Sequence, residues 1–166
     1  MLQFVKMCDI IEKQYKFGGK FVNNTAIDTR TNIPDRSQEI FYFVEDLLLA
    51  LSVRNCLIGR TYLRDSVVLV CQLDKANVKL SEDIYPVIAK RYSTTVSSVS
   101  KAIRHCLITC FNDGKLKIAN RLFRYDIIGN QPPTNAEFIS TIAIFVQRYL
   151  RSREDENCRF TYFSLK

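Results

Sequence analysis

Glycine and proline are scarce, with five Gly and four Pro in 166 residues. That excludes a collagen-like or low-complexity chain, since both lean on these residues. Histidine is scarcer, with His105 alone. A catalytic histidine needs a Ser, Cys or carboxylate placed to form a relay with it, and the neighbouring sequence offers none. An enzyme is not expected. CxxC spacing is missing from the six cysteines, Cys8, Cys56, Cys71, Cys106, Cys110 and Cys158. Cys106 and Cys110 lie four apart on an expected helix beside His105, but a metal site needs further ligands at recognisable spacing. They read as small hydrophobes filling a helix core, with no disulfides and no metal or other cofactor. Long apolar runs are absent too. The most apolar stretch, Ile40 to Val53, is interrupted by Glu45 and Asp46. It also falls short of the roughly 20 residues a membrane span takes. Met1 to Lys6 lack the charged start and apolar run of a signal peptide. The expected compartment is the cytoplasm, with no membrane partner and no small-molecule ligand.

What is present fits a soluble globular protein of one domain plus an appendage: 47% hydrophobic, 25% charged and 11% aromatic residues. The chain can bury a core without staples. Its formal net charge is +7. Residues 1–58 hold seven basic and seven acidic side chains, and residues 125–166 hold five of each. Residues 59–124 hold twelve basic and five acidic ones, so the whole surplus sits in the middle of the chain. A surplus confined to one segment points to an anionic partner there.

The first 36 residues carry turn residues between short apolar pieces, and Tyr15–Phe17 with Phe21–Val22 suggest a hairpin of two short strands. From residue 37 the pattern is helical. Ile40, Phe41, Val44, Leu47, Leu48 and Leu51 recur at spacings of three and four. Phe43 and Leu49 make this helix apolar on more than one face, which suits a buried central helix or packing against a second chain. Gly59 opens the next helix, with Leu63, Val67, Val70 and Cys71 inward and Arg60, Arg64 and Asp65 facing out. A third helix starts around Ile84 or Tyr85, since Pro86 is tolerated only near a first turn. Ile84, Ile88 and Tyr92 line one face, and Ala89 is small enough for a close crossing. Ser93-Thr94-Thr95 breaks the pattern and offers an N-cap. The next helix runs from Val96 to Asn112, with Val99, Ala102, Ile103, Cys106, Leu107 and Cys110 inward and Gly114 as the stop. A short helix covers Leu116 to Phe123. Thr134-Asn135-Ala136-Glu137 reads as a capping box opening a helix to about Leu150. The tail, Ser152 to Lys166, ends in aromatics and is expected to dock back as a short strand. The fold class is therefore all-α: a six-helix, bundle-like domain over residues 37–151, after an extension over residues 1–36 and before a tail over residues 152–166.

A short helix, a three- or four-residue turn and a longer helix make the helix-turn-helix arrangement. The second helix must be apolar inside and polar, small or basic outside, because its N-terminal residues approach base edges. The outer positions here are Ser97, Ser98, Ser100, Lys101, Arg104 and His105. Ser97, Ser98, Ser100, Lys101 and Arg104 are the candidate base-facing residues. Lys90, Arg91, Thr94, Thr95 and His105 are the candidates for the DNA backbone, where such groups set register without reading sequence. An ordinary helical hairpin with a solvated face fits the same pattern.

The stretch Ile84-Tyr85-Pro86-Val87-Ile88-Ala89-Lys90-Arg91-Tyr92-Ser93-Thr94-Thr95, followed by Lys101-Ala102-Ile103-Arg104-His105, resembles the C-terminal DNA-binding (effector) domain of the master sporulation response regulator, stage-zero sporulation protein A. Gly59-Arg60-Thr61-Tyr62-Leu63-Arg64-Asp65, Leu122-Phe123-Arg124-Tyr125 and Pro133-Thr134-Asn135-Ala136-Glu137-Phe138-Ile139 agree in order and spacing. The similarity spans about residues 40–151. It implies an all-helical, six-helix effector domain that binds double-stranded promoter DNA, often as tandem copies.

Two departures qualify what carries over. Full-length members have an α/β receiver domain of on the order of 120 residues before the effector domain. Only some 36–40 residues stand there in this chain, without alternating strands and helices. Asp9, Asp28 and Asp35 are given no phosphoacceptor role, and an orphan effector domain is expected. The reading helix also differs. Where the family usually presents Arg-Val-Glu-Arg, this chain has Ser98-Val99-Ser100-Lys101. An arginine on guanine is worth ~1–3 kcal/mol of discrimination, so its loss relaxes or re-aims base preference. Lys101 keeps the charge without the bidentate fork. Arg104 and His105 match the family. The reading is a DNA-binding transcription regulator related to sporulation control, with altered base preference. Arg60, Arg64, Lys75, Lys79, Lys115, Lys117, Arg121 and Arg124 are expected to grip phosphates around the reading helix. The runner-up is a protein-interaction module that modulates a partner regulator without sequence-specific DNA binding. Residues 1–51 are where a homodimer contact is expected.

Overall fold

The structure, a computed structural model, describes residues 36–73, 77–123 and 126–163, with side chains as far as residue 152. All regular structure among these residues is helical: α1 (Arg36–Ala50), α2 (Ile58–Gln72), α3 (Tyr85–Arg91), α4 (Val96–Asn112), α5 (Ile118–Phe123) and α6 (Asn135–Phe163). The all-α architecture agrees with the spacing of apolar residues in the sequence. The expected hairpin at Tyr15–Val22 lies outside the described residues.

The stripe of α1 turns Ile40, Phe43, Val44, Leu47 and Leu48 inward. Phe43 is not spare apolar surface for a second chain. Its ring stacks on Tyr149 with centroids 4.1 Å apart and lies 6.3 Å from that of Phe145, both on α6. Leu49 does stay exposed. The helix stops in a left-handed turn, with Ser52 at φ 56°. The Val53 amide donates to the Leu48 carbonyl and the Ser52 amide to that of Leu49, at 2.9 and 2.8 Å. This pair of bonds satisfies carbonyls that the helix end would otherwise strand.

α2 lies at the centre and packs on α1, α4 and α6. Leu63 and Val67 are fully buried, whereas Val70 and Cys71 are half-buried. The expectation that Arg60, Arg64 and Asp65 face water is corrected here. Arg60 and Asp65 are only 7% and 3% exposed, and Arg64 is half-buried. Arg60 and Arg64 reach Glu45 on α1, and ionic groups tolerate burial when they are paired in this way.

A π-helical turn (Leu80–Ile84) leads into α3, which begins at Tyr85 with Pro86 in its first turn. Thr95 caps α4: its hydroxyl accepts from the Ser98 amide at 3.1 Å. Val99, Ile103, Cys106, Leu107 and Cys110 are buried as the spacing requires, and Ala102 is half-buried. Gly114 follows at φ 70°, where a residue without Cβ is unstrained. A 3₁₀ turn (Lys115–Lys117) then joins α5.

The capping box at α6 is formed. The Thr134 amide donates to Glu137 Oε2 at 2.8 Å, and the Glu137 amide donates back to Thr134 Oγ1 at 3.2 Å. Phe138, Ile139, Ile142, Phe145, Val146, Tyr149 and Leu150 are buried along it. The expected short strand in the tail is corrected, because α6 continues through Phe163. Residues 152–163 hold no Gly or Pro to stop it and are rich in tolerable helix formers.

Candidate nucleic-acid interface

The turn between α3 and α4 is built like the end of α1. Ser93 adopts φ 50°, and the Thr94 amide donates to the Ala89 carbonyl at 2.9 Å. That left-handed residue ends α3 and lets the chain reverse within three residues. Tyr92 packs its ring against Tyr62 on α2, with centroids 5.1 Å apart. The second helix rests on α2 at Gly59. A Cβ at Gly59 would overlap the Ala102 carbonyl oxygen and crowd Cys106. Glycine at this position therefore sets how closely α4 can approach α2.

An ionic network fixes the same turn from behind. Glu45 on α1 takes Arg60 on one carboxylate oxygen at 2.6 Å and Arg64 on the other at 2.7 Å. Arg64 Nε donates to Asp65 Oδ1 at 2.8 Å. Asp65 Oδ2 accepts from Arg91 at 2.9 Å and from the Tyr92 hydroxyl at 2.9 Å. Burial opposes ionisation of Glu45, but the hydrogen bonds from Arg60 and Arg64 outweigh it and hold the carboxyl below the usual range. For Tyr92, burial and the neighbouring Asp65 carboxylate both push the phenol up. The network runs from α1 through α2 to the last residues before the turn, so the helix-turn-helix is carried by charge pairing as well as by apolar packing.

Ser97, Lys101 and His105 lie four residues apart on one exposed stripe of α4, with Ser98 exposed beside it. The remaining base-facing candidates are placed differently. Ser100 is half-buried: its carbonyl accepts from Asn135 Nδ2 at 3.0 Å, and its side chain lies beside the Tyr85 phenol, which Asn135 Nδ2 also reaches at 3.4 Å. Burial raises the Tyr85 phenol, and the bonds from Asn135 and Ser100 only partly offset that. Arg104 is half-buried and donates to the carbonyls of Pro133 at 2.5 Å and Pro132 at 3.4 Å. Its guanidinium ties the loop before α6 to α4. Among the backbone candidates, Lys90 is exposed and Thr94 half-buried, Thr95 is committed to capping, and Arg91 is shared with Asp65. His105 lies on the exposed stripe with Lys101.

Of the expected phosphate-gripping residues, Arg60 and Arg64 are corrected: both are spent on Glu45, and Arg64 also on Asp65. Its guanidinium additionally lies over the Phe41 ring, 4.5 Å from the centroid. Lys79 pairs with Glu82 at 3.2 Å. Lys75 and Arg124 lie outside the described residues. Lys115, Lys117 and Arg121 are exposed around a hollow of about 460 Å³ that Ser52, Gly114 and Ile118 complete. None of the three cations makes an ion pair among the described residues. Sequence reasoning missed Asn135 and Tyr85 as supports of α4, and Asp65 as a support of the turn before it. The capping box located Asn135 on the first turn of α6, but nothing in the sequence aimed its amide at α4.

Among the described residues no three of His, Cys, Asp and Glu gather as a metal site, and no helix is long and apolar enough to cross a membrane. Tested against protein families, residues 44–146 match the model described as "sporulation initiation factor Spo0A C terminal". That span includes the second half of α1, the whole helix-turn-helix and the first part of α6. The chain therefore belongs to this family of DNA-binding effector domains of transcription regulation in sporulation.

Proposed function

We propose that this protein is a DNA-binding transcription regulator that reads the major groove with the N-terminal half of α4, as an orphan effector domain with altered base preference. One observation carries the reading. A capped helix, packed on α2 at Gly59 and following a turn that the Asp65–Arg91 pair fixes, presents small hydroxyls and Lys101 to solvent while its inner face is fully packed. Small side chains allow a close backbone approach, and Lys101 brings a cation to the groove. Ser98 stands where relatives carry a guanine-reading arginine, so recognition of their sites is expected to be relaxed or re-aimed. Lys90 sits beside the turn as a phosphate contact.

A salt titration of duplex binding tests the reading, because each phosphate contact steepens the fall of log affinity with log salt. Lys101→Glu is the informative charge reversal. Arg104→Glu would also release the Pro132–Pro133 loop, so its loss of binding has two causes. A second reading, a protein-interaction module, draws on Tyr42 and Leu49, which are 64% and 49% exposed on α1. Under that reading Lys101→Glu leaves partner binding intact. A homodimer through residues 1–51 belongs to the same proposal. A light-scattering mass of one chain at high micromolar concentration would remove it.

A further inference from the structure

The first two turns of α4 hold few polar groups that are free to read a base. The Thr95 and Ser98 hydroxyls are 2.8 Å apart and partner each other, and Thr95 also accepts from the Ser98 amide. Ser100 is turned to Tyr85, and Arg104 to two proline carbonyls. That leaves Ser97 and Lys101, with one further group between the cap and Ser97. Val96, the first residue of the helix, is 36% exposed. Every buried apolar residue of α4 lies elsewhere, at Val99, Ile103, Cys106, Leu107 and Cys110.

An exposed isopropyl group at the tip of a reading helix can recognise one feature of the major groove. Adenine, guanine and cytosine present polar atoms there, and thymine adds a C5-methyl. We infer that Val96 is a specificity-determining residue, making apolar contact with a thymine methyl at the edge of the site read by α4. The inference rests on the DNA-binding reading and deepens it. It assigns part of the base preference to a methyl contact, in a helix whose Ser98 has no guanidinium to offer guanine.

The experiment uses the full chain and a random-sequence duplex library. The enriched sequence is resynthesised with deoxyuridine replacing thymine one position at a time, which removes the methyl group and no hydrogen-bonding atom. One position is expected to weaken binding by about four-fold, the worth of one buried methyl-sized group. The same replacement should leave Val96→Ala unaffected. Alanine is the better helix former, so this variant folds, as its thermal melt will report. Binding indifferent to every deoxyuridine replacement overturns the inference alone, as does equal sensitivity in the parent and Val96→Ala. A library that enriches no duplex overturns the DNA-binding reading and this inference with it.

Discussion

Gly59 shows how much one missing methyl group can carry. The site it leaves open is filled by backbone, the Ala102 carbonyl, which cannot swing aside as a flexible side chain can. Gly59→Ala must push α2 and α4 apart, and overpacking of this kind costs about 3 kcal/mol. Denaturant unfolding should show that loss, and DNA affinity should fall further because the reading helix moves. Asp46 gives a residue-scale prediction of opposite sign. It is half-buried, and burial pushes its carboxyl up from the ordinary aspartate range to about 6. The folded state therefore disfavours the charged form. The stability is fully present below the unfolded value and is lost as pH rises toward 6. Asp46→Asn is expected to melt above the parent at neutral pH and to converge with it near about pH 3.5. Equal melting temperatures at neutral pH would refute this.

At the scale of elements, α4 is bounded by chemistry readable in the sequence. Thr95 supplies the cap and Gly114 the left-handed stop. Thr95→Ala should cost about 1 kcal/mol by removing the acceptor for the Ser98 amide, and Thr95→Ser should restore most of it. Thermal melts of the two variants decide this. The capping box of α6 was legible for the same reason, since its two partners stand three residues apart. Arg60 and Asp65 were not. Their helix spacing places them outside the apolar stripe, and only the fold brings Glu45 and Arg91 against them. Periodicity records which face of a helix is apolar but not which neighbour covers the rest. The candidate site divides along the same line. Ser97, Ser98 and Lys101 are exposed as their spacing implies, whereas Ser100 and Arg104 are held by groups from α3 and from the loop before α6. Asp65 joins α2 to the end of α3, just before the turn. Replacing it with Asn leaves Arg91 and Arg64 short of a carboxylate, at a cost of about 2 kcal/mol. The coupling between Asp65→Asn and Arg91→Gln in a double-mutant cycle should account for much of that loss.

For the whole molecule, the surplus charge means something different once internal pairs are set aside. Arg60, Arg64 and Arg91 are joined to acids, Arg104 to carbonyls and Lys79 to Glu82. Among the described basic residues of 59–124, Lys90 and Lys101 remain at the helix-turn-helix, and Lys115, Lys117 and Arg121 remain around the hollow past the end of α4. Lys101 stands on that helix, eleven residues before its end at Asn112. At 1.5 Å per residue this separates it from the second group by about 17 Å, or roughly five base pairs of duplex. Both groups can grip one DNA only if the duplex extends well past the bases that α4 reads. Each phosphate contact contributes about 0.9 to the slope of log affinity against log salt. Replacing Lys115, Lys117 and Arg121 together by Gln should lower that slope by about 2 to 3 on a long duplex. The weakening should be similar for all sequences, because phosphates carry no base identity. On a duplex trimmed to the bases α4 reads, the same variant should bind like the parent. Lys90→Gln, at the phosphate contact beside the turn, should lower the slope by about 1 on both. An unchanged slope for the triple variant on the long duplex would place the hollow off the DNA and leave the helix-turn-helix as the sole contact.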